Sequence, residues 1–208
     1  MKKVLYINGN AQKDDLSFSS RAGKHYIDCL KKENQDVQVE VVNVYHEDIE
    51  LIDDEILTTW GKLKNGVNFE DLDANIQKRI IHMNQVLEQF KNADEYLITS
   101  PLWNFGVPPM LKAYIDNICI AGETFKYSEK GPIGLMKNKK ATVIQASGGI
   151  FSSEEASKSE HGSNFLKTVL NFVGVEDVTT ILIEGLAIPD KSQEEKLKDA
   201  LELVDNLF

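Results

Sequence analysis

A doubly wound α/β sheet, five parallel strands with helices on both faces, is the fold class that this 208-residue sequence predicts. Three observations carry the prediction. Short apolar runs recur along the chain, each too short for a helix and each ended by glycine, proline or polar residues. Stretches with helical periodicity stand between them, and alternation of strand with helix builds a parallel sheet. No internal repeat or low-complexity linker interrupts the alternation.

The elements follow in order. Val4-Leu5-Tyr6-Ile7 is a short buried strand that breaks at Asn8-Gly9-Asn10, and Ser17-Phe18-Ser19-Ser20 opens a helix running to about Asn34. Val37 to Asn43 is the second strand. Residues 45–75, with acidic turns and the segment Trp60 to Gly66, read as an irregular excursion from the sheet rather than a domain. Ile76 to Phe90 is a helix with Ile80, Met83, Val86, Leu87 and Phe90 on one side. The third strand, about Glu95 to Ser100, feeds Pro101-Leu102-Trp103-Asn104-Phe105-Gly106. A helix with proline in its first turn follows, to about Ile120. Residues 121–135 form a glycine-punctuated connection. Ala141 to Gln145 is the fourth strand and ends at Ala146-Ser147-Gly148-Gly149. A helix near Asn164 to Phe172, a fifth strand from Val178 to Ile183 and an amphipathic helix from about Ser192 to Leu207 complete the chain.

Bulk properties narrow the function classes. Residues 1–208 read as a single domain. The apolar fraction of 42% and charged fraction of 27% are ordinary for a globular protein. A formal net charge of −10 argues against nucleic-acid and anionic-membrane partners, which are polyanions. Cys29 and Cys119 belong to no C-x-x-C or cysteine–histidine cluster and read as core thiols. The four histidines show no ligand spacing, so no metal is expected. The apolar run after Met1-Lys2-Lys3 is too short for a signal peptide, and no stretch approaches the ~18 apolar residues of a membrane span. The expected location is the cytoplasm.

The first strand is not followed by G-x-G-x-x-G, and no G-K-[S/T] occurs, which excludes a nucleotide-triphosphate loop. The choice falls on the mononucleotide, flavodoxin-like version of the fold, with strand order 2-1-3-4-5. In that order strands one, three and four are neighbours, and ligands bind at the carboxyl ends of such strands. Three loops with unusual chemistry then converge: Asn10 to Ser20, Pro101 to Phe105, and Ala146 to Gly149. One shared ligand is implied. Trp103 and Phe105 flank an amide, Asn104, in a loop where bulky aromatics make poor surface. A flat heteroaromatic ring with polar edges, a flavin above all, suits them.

Each loop also has an ordinary reading. Ser17, Phe18 and Ser19 stand at a helix start, where backbone amides, hydroxyls and the helix dipole bind a phosphate; equally, Ser17 serves as a helix cap. Arg21, the nearest basic residue, lies one turn further in. Leu102 to Phe105 either anchor the loop hydrophobically or cover the face of the ring and meet its polar edge. Gly148-Gly149 is either a turn or a place where backbone N–H groups approach the pyrimidine end of a flavin. Ser147 is expected to be part-exposed, in a turn that tolerates substitution. Phe125 and Tyr127 either cover the outer face of the ring or simply pack.

Together these residues resemble the FMN-dependent, NADH-using azoreductases, a flavodoxin-like family that also reduces quinones. The resemblance runs the length of the chain: S-x-S at Ser17 and Ser19, W-G-K-L at Trp60 to Leu63, P-L-W-N-F at Pro101 to Phe105, and L-K-A-Y-I-D at Leu111 to Asp116. It continues in A-G-x-T-F-K-Y at Ala121 to Tyr127, G-P-x-G-L at Gly131 to Leu135 and G-G at Gly148-Gly149. It implies one non-covalent FMN per subunit, NADH as electron donor, quinones and azo compounds as acceptors in a ping-pong reaction, and a homodimer with its sites at the interface. The FMN-binding residues so implied are Asn10, Ser17, Phe18, Ser19, Pro101, Leu102, Trp103, Asn104, Phe105, Ala146, Ser147, Gly148 and Gly149, with Phe125 and Tyr127 toward substrate. Two positions depart from the family pattern: Ser147 stands where the family's turn has arginine, and Asn8-Gly9-Asn10 differs from the common first loop. The rival readings are a flavodoxin-type electron carrier serving a protein partner and, for related sequences, a phosphodiesterase acting on acyl carrier protein. No paired carboxylates, metal ligands or nucleophile–base pair support the last.

Overall fold

The computed structural model describes residues 1–208 and contains seven strands. Five of them, β1 (Lys3–Asn8), β2 (Gln38–Asn43), β3 (Glu95–Pro101), β6 (Lys140–Ala146) and β7 (Asp177–Ile183), form one parallel sheet. The other two, β4 (Phe125–Ser128) and β5 (Gly131–Gly134), form an antiparallel hairpin apart from it. The sheet order is β2-β1-β3-β6-β7, the expected 2-1-3-4-5 topology renumbered for the intervening hairpin. The glycine-punctuated connection is therefore ordered strand, which its short polar sequence did not signal.

Alternation along each strand builds two cores. Leu5, Ile7, Tyr96, Ile98 and Val143 face one side, with Phe90, Leu111, Tyr114 and Leu166 from α3 (Ala74–Asn92), α4 (Pro109–Ile118) and α5 (Ser163–Val173). Val4, Tyr6, Leu97, Ile144 and Ile181 face the other, under Ala22, Tyr26, Leu197 and Val204 of α1 (Phe18–Glu33) and α6 (Gln193–Asp205). This period-two division is what a strand covered on both faces requires.

The excursion at 45–75 is more regular than expected. It contains α2 (Asp54–Lys64), capped by the Asp53 carboxylate, and a short 3-10 turn at Phe69–Asp71. Ile56 of α2 meets Ile76, Ile80 and Met83 in a satellite core. Both cysteines are half-buried; Cys119, the residue that caps the end of α4, packs against the larger core.

Candidate functional site

The register of the central strands brings the three loops to one edge. Asn8 pairs with Thr99 and Pro101 with Ala146, so the ends of β1, β3 and β6 lie side by side. Two inter-strand spacings separate the outer pair, about 10 Å. Direct bonds tie the loops together: Thr99 Oγ1 donates to Asn8 Oδ1 at 3.2 Å, and Leu102 N donates to Ala146 O at 2.8 Å. Gly9 makes the first junction possible. A Cβ there would lie 2.9 Å from Thr99 O and 2.7 Å from Leu111 Cδ2.

In the first loop Asn10, Ser17 and Ser19 are all buried. Asn10 Nδ2 donates to Ser17 Oγ at 2.7 Å, and the Ser17 and Ser19 hydroxyls lie 3.2 Å apart. Ser17 does cap α1, accepting from Ser20 N at 3.2 Å. Capping does not exhaust the site. With Asn10 and Ser20 filling its acceptor positions, the Ser17 hydroxyl donates to Ser19 Oγ, and the pair keeps one proton, that of Ser19, to donate outward. The N–H groups of Phe18 and Ser19, in the first turn, have no intrahelical acceptor. Arg21 takes no part: its guanidinium is held by both Glu194 oxygens, at 2.8 and 2.6 Å. The first loop is thus a cup of neutral donors at the positive end of a helix.

The second loop is a strained turn. Trp103 and Gly106 exchange both backbone hydrogen bonds at 2.9 Å. Asn104 and Phe105 between them have φ of 48° and 68°. That is the type I′ pattern, which glycine normally fills. Two non-glycine residues there cost about 1–3 kcal/mol each. The turn leaves Trp103 40% and Phe105 55% exposed. Trp103 keeps Tyr45 as a neighbour, ring centroids 6.3 Å apart, and Phe105 keeps Phe151 at 6.2 Å.

In the third loop the carbonyls of Ser147, Gly148 and Gly149 accept from Leu186, Ala187 and Gly185. The N–H groups of Gly148 and Gly149 make no bond within the chain. Neither glycine needs positive φ, and a Cβ on Gly148 would meet only Ala187 Cβ, at 3.4 Å. Packing therefore does not demand glycine at 148. Ser147 is buried, not part-exposed, because its hydroxyl turns inward to Gly149 O at 2.8 Å. Free donors, bare backbone and outward aromatics fit a flavin mononucleotide laid from the α1 cup to the β6 loop.

One expected pair lies elsewhere in the chain. Phe125 and Tyr127 sit on the β4–β5 hairpin, which packs through Gly134 on Val173 and Gly174 at the carboxyl end of α5. The site loops lie toward the amino end of α5, a helix length of about 16 Å away. Phe125 packs on Phe172 with centroids 4.5 Å apart, the ordinary role, whereas Tyr127 is 75% exposed.

A buried carboxylate that the sequence did not single out braces the site. Glu160 is 4% exposed and accepts from the N–H groups of Gly162, Ser163 and Asn164 at 2.7, 2.8 and 3.1 Å. It also accepts from the Ser163 hydroxyl at 2.8 Å and the Gln145 amide at 3.1 Å. Burial by itself raises its pKa, but the bonds from Ser163, Gln145 and the backbone outweigh burial and hold it below the usual carboxylate range. The segment it pins includes His161, whose N–H donates to Phe105 O at 2.8 Å. The sequence signal was available: an acidic residue three positions before a helix start.

The three loops, with Trp103 and Phe105 exposed, form a shelf at the carboxyl edge of the sheet. No helix is long and apolar enough to cross a membrane.

Comparison with known proteins agrees with this geometry. A family model described as flavodoxin-like fold matches residues 2–207. FMN-dependent NADH:quinone oxidoreductase 3 of Halalkalibacterium halodurans is 45% identical over 197 residues, 94% of this chain and 93% of the relative. FMN-dependent NADH:quinone oxidoreductase of Geobacillus kaustophilus is 42% identical over 197 residues, with the same 94% and 93% coverage. Among solved structures, an FMN-dependent NADH-azoreductase from Bacillus anthracis in complex with FMN superposes with a TM-score of 0.92 at 37% identity. That superposition covers 100% of this chain and 97% of that one.

Proposed function

The chain belongs to the flavodoxin-like family that contains the FMN-dependent NADH:quinone oxidoreductases, and from that premise we propose that it is itself such an enzyme. On this reading it binds one FMN per subunit without a covalent bond and takes electrons from NADH. It reduces quinones and cleaves aromatic azo compounds to amines. Donor and acceptor use the same shelf in turn, a ping-pong order. When bound, FMN supplies the acceptance and release of hydride.

The chain's own residues supply binding, orientation and charge. The first turn of α1, with the hydroxyls of Ser17 and Ser19, holds a single phosphate through neutral donors; Asn10 orients Ser17. Pro101 and Leu102 lead the backbone along the ring. Trp103, Asn104 and Phe105 cover a face and meet its polar edge. The free N–H groups of Gly148 and Gly149, beyond Ala146 and Ser147, stabilise negative charge at the pyrimidine end. The observation that carries the reading is this set of unpaired donors at three adjoining strand ends, above a glycine that packing does not require.

The functional unit on this reading is a cytoplasmic homodimer of single-domain subunits. The exposed rings of Trp103, Phe105 and Tyr127 support it. Tyr127 is too far from its own shelf to touch it, so its role toward substrate belongs to the second subunit. Heat release of the bound cofactor and its chromatographic identification test the reading: FMN is expected, and FAD would exclude it, since there is one phosphate cup and no second.

A further inference from the structure

α1 presents His25 and Cys29, four residues apart and so on one face, toward Asp205 at the end of α6. His25 Nε2 lies 2.6 Å from Asp205 Oδ1 and 3.6 Å from Cys29 Sγ, and Cys29 Sγ lies 3.4 Å from Asp205 Oδ1. All three donor atoms fall within 4.8 Å of one another. A nucleophilic triad places the carboxylate and the nucleophile on opposite imidazole nitrogens. Here both partners address the same nitrogen, and burial together with the Asp205 hydrogen bond pushes the Cys29 thiol up rather than activating it. The arrangement converges on a point instead of relaying a proton.

We propose that His25, Cys29 and Asp205 form a three-ligand site for a zinc-type divalent cation that ties α1 to α6. Zinc takes sulfur at about 2.3 Å and nitrogen or carboxylate oxygen at about 2.0–2.2 Å, so a tetrahedral sphere sets neighbouring donors roughly 3.4–3.6 Å apart. The two separations involving sulfur, 3.6 and 3.4 Å, already match. The histidine–aspartate separation must open by about 0.8 Å, a small movement for an exposed Asp205. Thiolate, imidazole and carboxylate together select zinc-like ions over magnesium and calcium. Binding transfers the Cys29 proton to solvent, and the half-exposed setting leaves the fourth position to water. The fold is what assembles the set: two ligands sit on one helical turn, and the third arrives from the other end of the chain. His25 lies about 10 Å along α1 from Phe18, so the site is separate from the shelf and does not depend on the proposed function.

The test is cobalt(II) titration of the purified, cofactor-loaded protein in a non-thiol reductant. It is read in the red, where oxidised flavin does not absorb, and repeated with zinc as competitor. One equivalent per chain is expected to give tetrahedral cobalt bands that zinc abolishes. Cys29→Ser and Asp205→Asn should each weaken binding at least ~10-fold, the lower end of what even an outer partner of a metal ligand costs. Zinc should raise the melting temperature of the parent chain and of neither variant, while all three oxidise NADH at equal rates. Absence of the tetrahedral bands, or unchanged affinity in Cys29→Ser, would overturn the proposal.

Discussion

Replacing Glu160 by glutamine tests how the shelf is held in place. The carboxylate accepts three backbone N–H groups, the Ser163 hydroxyl and the Gln145 amide. A glutamine keeps one oxygen, which still serves Gly162 and Ser163. Its NH2 group then faces Asn164 N–H, donor against donor. An orphaned buried donor costs about 1–3 kcal/mol, and loss of a negative charge at the start of α5 adds about 0.3–1 kcal/mol. The sum, about 1–4 kcal/mol, corresponds to a fall of roughly 3–16 °C in melting temperature for a chain of this size. The loss depends on pH. Glu160 titrates below its unfolded value of about 4.3, so its contribution is complete above that value and disappears as pH falls through the folded one. Melting the flavin-free protein and the variant at pH 7, and again below pH 4, measures both. Because His161 holds Phe105, FMN affinity should also drop. Equal melting temperatures at pH 7, or a gap that persists undiminished in acid, would refute the bracing role.

Four further outcomes follow from the same geometry. Ser19→Ala should weaken FMN binding by about 1.5–3 kcal/mol, roughly 10–100-fold, with little change in melting, whereas Ser17→Ala should lower both, because it also removes a cap worth about 0.5–2 kcal/mol; equilibrium titration and melting curves separate the two. Gly148→Ala should leave the flavin-free protein within about 0.5 kcal/mol of the parent yet reduce FMN affinity, and normal affinity would mean that the ring does not pass over this backbone. Ser147→Arg must displace a buried hydroxyl and should destabilise by about 1–3 kcal/mol, while its charge raises the midpoint potential of bound FMN; no upward shift in a variant that retains FMN would separate this loop from the ring. Tyr127→Ala should raise KM for quinone without altering FMN affinity, since a residue of the second subunit would act on substrate rather than on the phosphate cup, and sedimentation showing an active monomer would remove that claim.

The sheet was legible because its signals are local. Tyr96-Leu97-Ile98 and Val143-Ile144 are apolar runs within short strands, and the absence of a dinucleotide fingerprint after Ile7 selected the strand order. The convergence of the three loops was legible as well, because strand order turned separate oddities into neighbours. What local patterns do not carry was missed. In the excursion the polar stretch Asp54–Lys64 gains its helical stability from packing Ile56 on α3 rather than from its own periodicity. The β4–β5 hairpin depends on docking against Gly174. Ser147 reads as an exposed turn residue until the inward bond to Gly149 O is seen. The Glu160 brace and the meeting of Cys29 with Asp205 join residues far apart in sequence, though the i, i+4 spacing of His25 and Cys29 was itself a visible hint.

The most direct test of the central claim is an anaerobic visible spectrum of the purified protein with no partner protein present. Addition of NADH should bleach the absorption of bound FMN, and a subsequent quinone should restore it. A chain that binds no flavin, or whose flavin NADH does not bleach, would contradict the account.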